Sequence, residues 1–424
     1  MRRRLEAVLP VSASIEDGEL TLGGLRASAL AERFGTPLLV YCRETLLASA
    51  HAYEAAAPDA LVAYSVKAFP NVALIRLFAE DGLGADVSTV GELAFARAAG
   101  VPGERIVVHG NNKSDEELRA AAEAGAGLLV LDALDDVERA AAAGLRRVLV
   151  RVTPGIDVDT HPAITTGHEG SKFGLPPEQA LAALELARAA RLEPAGLHVH
   201  LGSQLLELRA AETSVEWLAG FAATCRAQLG WTPAVVDLGG GLGVQHVEDQ
   251  PAPPIEEFVR RLLDRAAEAW SLHELPLPTF VLEPGRSLVG RAGVTLYRIG
   301  VVKELSERTA YVAVDGGMSD NPRPQLYGAE YAPLLANRAA DPDERVYTIC
   351  GKHCESGDVL VRRRPLPRPR RGDVLAVAAT GAYTLGMGSN YNAVPRPAAV
   401  LVGEGEATVI RRRESIDDLL ALED

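Results

Sequence analysis

Lys67 closes an apolar run, Tyr64-Ser65-Val66-Lys67-Ala68-Phe69-Pro70-Asn71, so that a candidate strand delivers one amine to its carboxyl end. An amine held in apolar surroundings gives up its proton more readily and becomes a nucleophile able to form a Schiff base with an aldehyde. Later segments hold groups that an aldehyde cofactor would use. Glu283-Pro284-Gly285-Arg286 sets a carboxylate and a guanidinium three residues apart. That spacing suits a surface ion pair, or equally a carboxylate facing a ring nitrogen and an arginine facing a phosphate or carboxylate. In Asp237-Leu238-Gly239-Gly240-Gly241-Leu242-Gly243, consecutive glycines let backbone N–H groups converge on an anion, although a plain tight turn has the same composition. His198 and His200 share one face of a strand that runs into Gly202-Ser203-Gln204, which makes His200 a candidate ligand contact. Together, a lysine, a stacking histidine, a glycine turn and an acid–arginine pair match the needs of pyridoxal phosphate.

Eight short β-rich runs must position these groups, at 61–67, 82–87, 105–109, 127–132, 146–153, 195–201, 234–238 and 279–283. Helical patterns alternate with them, among them Gly91–Ala99, Ser114–Ala124, Pro177–Ala190, Ala211–Leu229 and Ile255–Leu272. Eight such units predict a (β/α)8 barrel over residues 41–290, whose chemistry gathers at the strand carboxyl ends; a doubly wound open sheet is the rival. Asp86, His109, Asp132 and Arg151 also fall at strand ends on this reading. Beyond residue 290, strand-like runs at 293–304, 309–315, 345–350, 358–362, 373–379, 397–402 and 406–411 follow one another without long helices. They predict a C-terminal β-sandwich or small β-barrel over 291–424, which residues 1–40, β-rich around Leu20–Leu22, should join. Arg362–Arg371, rich in arginine and proline, reads as a solvated surface loop.

The β region carries Gly351-Lys352-His353-Cys354-Glu355-Ser356-Gly357-Asp358, in which Cys354 lies in a polar turn suited to a reactive thiol. Cys42, Cys225 and Cys350 sit in apolar runs and read as structural, and Cys350 and Cys354 lack the companions of a zinc set, so no metal is expected. Cysteine usage fits a reducing compartment. A net charge of −14 argues against nucleic acid and anionic membranes as partners. Met1-Arg2-Arg3-Arg4 is followed too soon by Glu16 and Asp17 for a signal peptide, and no run of about 18 or more apolar residues offers a membrane span. A cytoplasmic location is therefore expected.

From about residue 30 to about 415 the chain closely resembles the diaminopimelate decarboxylases, within the pyridoxal-phosphate enzymes of alanine-racemase-like fold. The resemblance rests on YSVKAFPN, GADVSTVGE, HGNNKS, THPAITTGHEGSKFG, GLHVHLGSQ, DLGGGLG, EPGRS, DGGMSDNPRPQLYG, GKHCESGD and GAYTLGMGSNYN. It implies that Lys67 is the Schiff-base lysine, that Asp86 and Gly285 line the cofactor, and that His200 stacks on its ring. Ser203, Gly239, Gly240, Gly241, Arg286 and Tyr383 would hold the phosphate and Glu283 the pyridine nitrogen. Cys354 would be the proton donor. Arg286 and Arg323 would meet the distal carboxylate of meso-diaminopimelate, with Tyr327 and Tyr383 nearby and Glu355 facing the distal ammonium. The family further implies a homodimer with active sites at the interface, Cys354 and Glu355 serving the neighbouring subunit and Lys172 pairing with Asp358 across it. Its rivals are a decarboxylase for another amine with a distal carboxylate, a racemase of the same fold and a non-catalytic cofactor carrier. The segment after Tyr383 is richer in glycine than the family leads one to expect, which would loosen that loop. Thr160–Gly170, with His161 and His168, would suit a lid.

Overall fold

The computed structural model describes residues 5–154, 171–200 and 202–423, so the expected lid lies outside the described residues. The chain divides into two compact units, one of which is Ser49–Gly243 with Ala252–Ser287. That unit is a closed barrel of eight strands: β1 (Leu61–Ser65), β2 (Gly84–Val87), β3 (Ile106–Val108), β4 (Leu128–Leu131), β5 (Arg147–Arg151), β6 (Glu193–His198), β7 (Val235–Asp237) and β8 (Thr279–Leu282). Every neighbouring pair is parallel, including β8 with β1. The interior is filled by branched and small side chains such as Val107, Val130, Leu149, Val235 and Val281. It is a packed core, and polar groups are left to its ends.

Helices return the chain between strands, and local chemistry fixes their starts. Ser114 and Glu117 form a reciprocal capping box on Asp115–Glu123. Asn71 accepts from the N–H groups of Ala73 and Leu74 and starts Val72–Glu80. Helices Val72–Glu80 and Asp136–Ala142 complete the alternation, although neither stands out in the sequence pattern. Ile255–Leu272 buries Phe258, Leu262, Ala266 and Trp270 on one face, with its pairs Arg261–Glu212 and Arg265–Glu216 on the exposed side.

The second unit comprises the chain up to Ala48, Val244–Pro251 and the chain from Leu288 onward. Its spine is the long strand Gly293–Ser306, which changes partners along its length. Its first half pairs with Leu38–Cys42 and Val374–Val377, its second half with Thr309–Val314. Two apolar clusters result, and the first takes Leu20, Leu22 and Leu30 of the N-terminal segment against Val294, Leu296 and Val400.

Two readings of the sequence need correction here. Arg362–Arg371 is not wholly a loop, because Val359–Leu366 is one strand in which Tyr347 pairs with Arg364 and Arg345 with Leu366. Buried Leu366 anchors it while the arginines face outward. The glycine-rich segment after Tyr383 is pinned rather than loose. Ser389 N donates to Ser319 O, and a side chain at Gly388 would come within 2.9 Å of that same carbonyl.

One buried acid makes the β unit sensitive to pH. Burial pushes the Asp320 carboxyl up to about 7, against the opposing pull of its bonds from Tyr297 Oη and Gly317 N. Because the folded value lies above the unfolded one near 4, this contribution to stability is complete below pH 4 and is lost as pH rises through about 7. Relative to Asp320→Asn, the wild type should therefore lose stability between pH 5 and pH 8, a difference that thermal melts of the two across that range check.

Candidate active site

The carboxyl ends of the barrel strands carry a buried polar network. Glu283 follows β8 and accepts from His109, whose Nε2 lies 2.5 Å from Oε1. His198 Nε2 lies 3.6 Å from Oε2, and its ring meets that of His109 edge-on at 4.8 Å. Burial alone would raise the Glu283 carboxyl, but the two histidines outweigh it and hold the group well below the carboxylate range. Asp237, at the end of β7, goes the other way: burial and the charge of Glu283 push it well up. Two adjacent buried carboxyls are thus shifted in opposite directions. Burial lowers His198 to about 3 and keeps it neutral.

Lys67 sits one turn beyond β1, in the 3-10 turn Val66–Ala68, rather than on the strand. Its surroundings are polar rather than apolar: the side chain is 47% exposed and Nζ lies 3.5 Å from Asp86 Oδ2. Asp86 also accepts from Ser65 Oγ at 2.6 Å. The turn is held between strand end and capped helix, and Ser65 N donates to Pro284 O, tying the Glu283–Arg286 turn to the lysine turn.

Arg286 opens the short helix Arg286–Val289, and its guanidinium donates to Ser203 Oγ from Nη2 at 3.0 Å and Nε at 3.3 Å. His200 lies just past the end of β6, buried enough that desolvation lowers it well below the usual histidine range. Its Nδ1 accepts from Gly240 N at 3.2 Å. A Cβ at Gly240 would come within 2.3 Å of Glu283 O, so only glycine allows the ends of β7 and β8 to approach. Lys67, Asp86, His200, Ser203, Gly239–Gly241, Glu283 and Arg286 therefore all belong to one end of one barrel. Gly285 lies in the turn between Glu283 and Arg286.

That donor set fits pyridoxal phosphate. It offers an amine for the aldehyde, a buried ionised carboxylate for a protonated ring nitrogen, and a guanidinium, a hydroxyl and a glycine turn for a dianion. The sequence left His109, His198 and Asp237 without a role; the only signal was their position at strand ends.

The remaining predicted residues lie in the β unit. Arg323 is buried in the helix Arg323–Tyr327, where Nη1 donates to Tyr331 Oη at 2.6 Å and lies 3.4 Å from His246 Nε2. Tyr327 ends the same helix, and Tyr383 sits in a loop with φ of 57°. Cys354 and Glu355 are both exposed, with Cys354 N donating to Asn392 Oδ1 at 2.8 Å. Asp358 departs from its expected role. Its side chain is 2% exposed and its oxygens accept from Met318 N, His353 N and His353 Nδ1, leaving it no surface for an ion pair with Lys172. Lys172 Nζ instead lies over the Phe173 ring, 4.8 Å from its centroid.

Residues 43–290 match the family model of the pyridoxal-binding domain of pyridoxal-dependent decarboxylases, and that is the class which the barrel and its carboxyl-end groups define. The chain is 44% identical to the diaminopimelate decarboxylase of Actinosynnema pretiosum subsp. auranticum, over 98% of this chain and 94% of that one. It is 42% identical to that of Bacillus subtilis, over 96% of each. Among solved structures, the M. jannaschii diaminopimelate decarboxylase in co-complex with L-lysine superposes with a TM-score of 0.91 at 33% identity, covering 97% of this chain and 98% of that one. The chain belongs to the diaminopimelate decarboxylase family.

Proposed function

We propose that the protein decarboxylates meso-diaminopimelate at its D-centre, giving L-lysine and carbon dioxide. The observation that carries this reading is the likeness to diaminopimelate decarboxylases through both units of the chain, not through the barrel alone. When bound, pyridoxal phosphate supplies an aldehyde for the substrate amine and a ring that draws off the electron pair left by the departing carboxylate. Lys67 would hold the cofactor through its aldehyde. Glu283, kept ionised by His109, holds a proton at the ring nitrogen. Arg286, Ser203, Tyr383 and the turn Gly239–Gly241 would hold the phosphate, Asp86 and Gly285 would line the site, and His200 would stack on the ring. Cys354 delivers a proton to the carbon that has lost its carboxylate.

Substrate choice is assigned to the far end. Arg323, with Arg286, meets the distal carboxylate through a planar fork, and Tyr327 and Tyr383 flank it while Glu355 faces the distal ammonium. An amine without that carboxylate leaves buried donors unpaired. Carbon dioxide release from meso-diaminopimelate should exceed release from L-ornithine, L-arginine and L-lysine measured in parallel. Release from one of the others alone would keep the cofactor chemistry and discard the substrate. Exchange of the α-proton without release would favour a racemase.

The active sites are assigned to a homodimer, with Cys354 and Glu355 serving the partner subunit. Cys354→Ala should cost roughly 10²–10⁴-fold in kcat, the usual worth of a positioned general acid. If sites are shared, mixing Cys354→Ala with Lys67→Ala should restore activity at up to about one quarter of the sites, since each mixed dimer holds one intact site. No recovery after subunit exchange, verified by mass, would overturn the sharing. A cytoplasmic location suits this reading: Cys42, Cys225, Cys350 and Cys354 are all unpaired thiols, and no described helix is long and apolar enough to cross a membrane.

A further inference from the structure

We propose that His353 and Asp358 are positioning residues that fix the Cys354–Glu355 turn in its working geometry. The inference rests on the reading of Cys354 and Glu355 as groups that act on substrate. Asp358 gathers three donors from two separate segments: Met318 N at 2.7 Å, His353 N at 2.9 Å and His353 Nδ1 at 2.8 Å. The segments are joined again by Lys352 N donating to Gly316 O, and the turn closes through Gly351 N to Asp358 O and Asp358 N to Glu355 O. A Cβ at Gly317 or Gly351 would come within 2.6 Å or 2.2 Å of the Asp358 carboxylate, so both glycines leave room for it. Gly317 and Gly351 thus serve one buried carboxylate.

The reactive turn is clasped from both sides. The His353 side chain is wholly enclosed and its ring stacks on Tyr391 at 5.8 Å with planes 13° apart. The next residue, Cys354, gives its N–H to Asn392 Oδ1 at 2.8 Å. Position 353 is therefore anchored inward by its side chain and position 354 by its backbone, which leaves the Cys354 thiol and the Glu355 carboxylate facing outward.

An enclosed histidine–aspartate pair is a poor source of net stability, since apolar side chains of similar volume would serve the core as well. What it adds is direction: each bond fixes a donor at a set angle as well as at a set distance. Because His353 is enclosed it has no route to substrate, and its effect must pass through the backbone of residue 354. A misplacement of about 1 Å in a proton donor costs up to about 10²-fold in rate.

The test compares His353→Ala with His353→Asn, whose amide N–H can take the place of Nδ1–H. The readouts are kcat, the alkylation rate of Cys354 by iodoacetamide followed by peptide mass, and the melting temperature. His353→Ala should lower kcat by about 10- to 100-fold and change the alkylation rate several-fold while a cooperative melt remains, and His353→Asn should restore most of both. Wild-type kcat and alkylation in His353→Ala, or an Asn variant as impaired as the Ala variant, would overturn the proposal. Should His353→Ala fail to fold, Asn392→Ala releases the same turn from its exposed side; loss of kcat with altered alkylation supports the clasp, and no change in either overturns it. If the wild-type protein releases no carbon dioxide from meso-diaminopimelate, the functional reading fails, whereas the alkylation comparison still decides the clasp.

Discussion

Lys67→Ala should abolish both turnover and the visible absorbance of the bound cofactor, with kcat falling by at least about 10³-fold. Lys113 is enclosed and committed: its Nζ donates to Gly110 O at 2.6 Å and Val130 O at 3.0 Å and pairs with Asp136 at 2.8 Å. Lys67 is half-exposed, and its Nζ lies 3.5 Å from the Asp86 carboxylate. The 3-10 turn that carries it is fixed on one side by β1 and on the other by the Asn71 cap, which aims the side chain without burying it. Absorbance spectra of the purified variant with added pyridoxal phosphate would check this, and retention of a Schiff-base band would assign the role to another amine. Arrest should be local, because an exposed side chain contributes little to folding, and the melting temperature without cofactor should match that of the wild type.

The barrel was legible because its strands are short apolar runs ending in polar or glycine-rich turns, a pattern that survives without long-range knowledge. Element ends were less so. Val66 and Lys67 continue the run in sequence, but the backbone has already left the strand at Val66 to form the 3-10 turn Val66–Ala68. Leu38–Cys42 reads locally like any barrel strand; what places it in the other sheet is pairing with Gly293–Leu296 and Ala398–Val402, more than 250 residues away. Site residues divide in the same way. Lys67, Glu283 and Arg286 have side chains whose chemistry is apparent from type alone. His109 does not, because its role comes from Glu283, 174 positions further on. Asp358 was misassigned for a related reason: likeness to a family transfers the residue but not its bonds, and the three donors around it become visible only once two distant turns are packed together.

Glu283→Gln should cost roughly 10²–10³-fold in kcat while the cofactor remains bound, the scale expected when one preorganised charge is removed from where electrons accumulate. The amide keeps the volume and one acceptor for His109, so the barrel end should stay folded. What it loses is the negative charge that makes a protonated ring nitrogen favourable. The size of the effect depends on Asp237. Burial and the charge of Glu283 beside it push that acid well up. Removing the charge from Glu283 relieves one of these causes, so Asp237 in the single variant moves back toward ionisation and supplies part of the missing field. Glu283→Gln combined with Asp237→Asn removes both sources and should be slower than the single variant by more than Asp237→Asn alone predicts, a coupling that a double-mutant cycle in kcat reads directly. Strict additivity would mean that Asp237 never takes up the charge. Near wild-type turnover in Glu283→Gln would remove the ring-nitrogen role from Glu283 altogether.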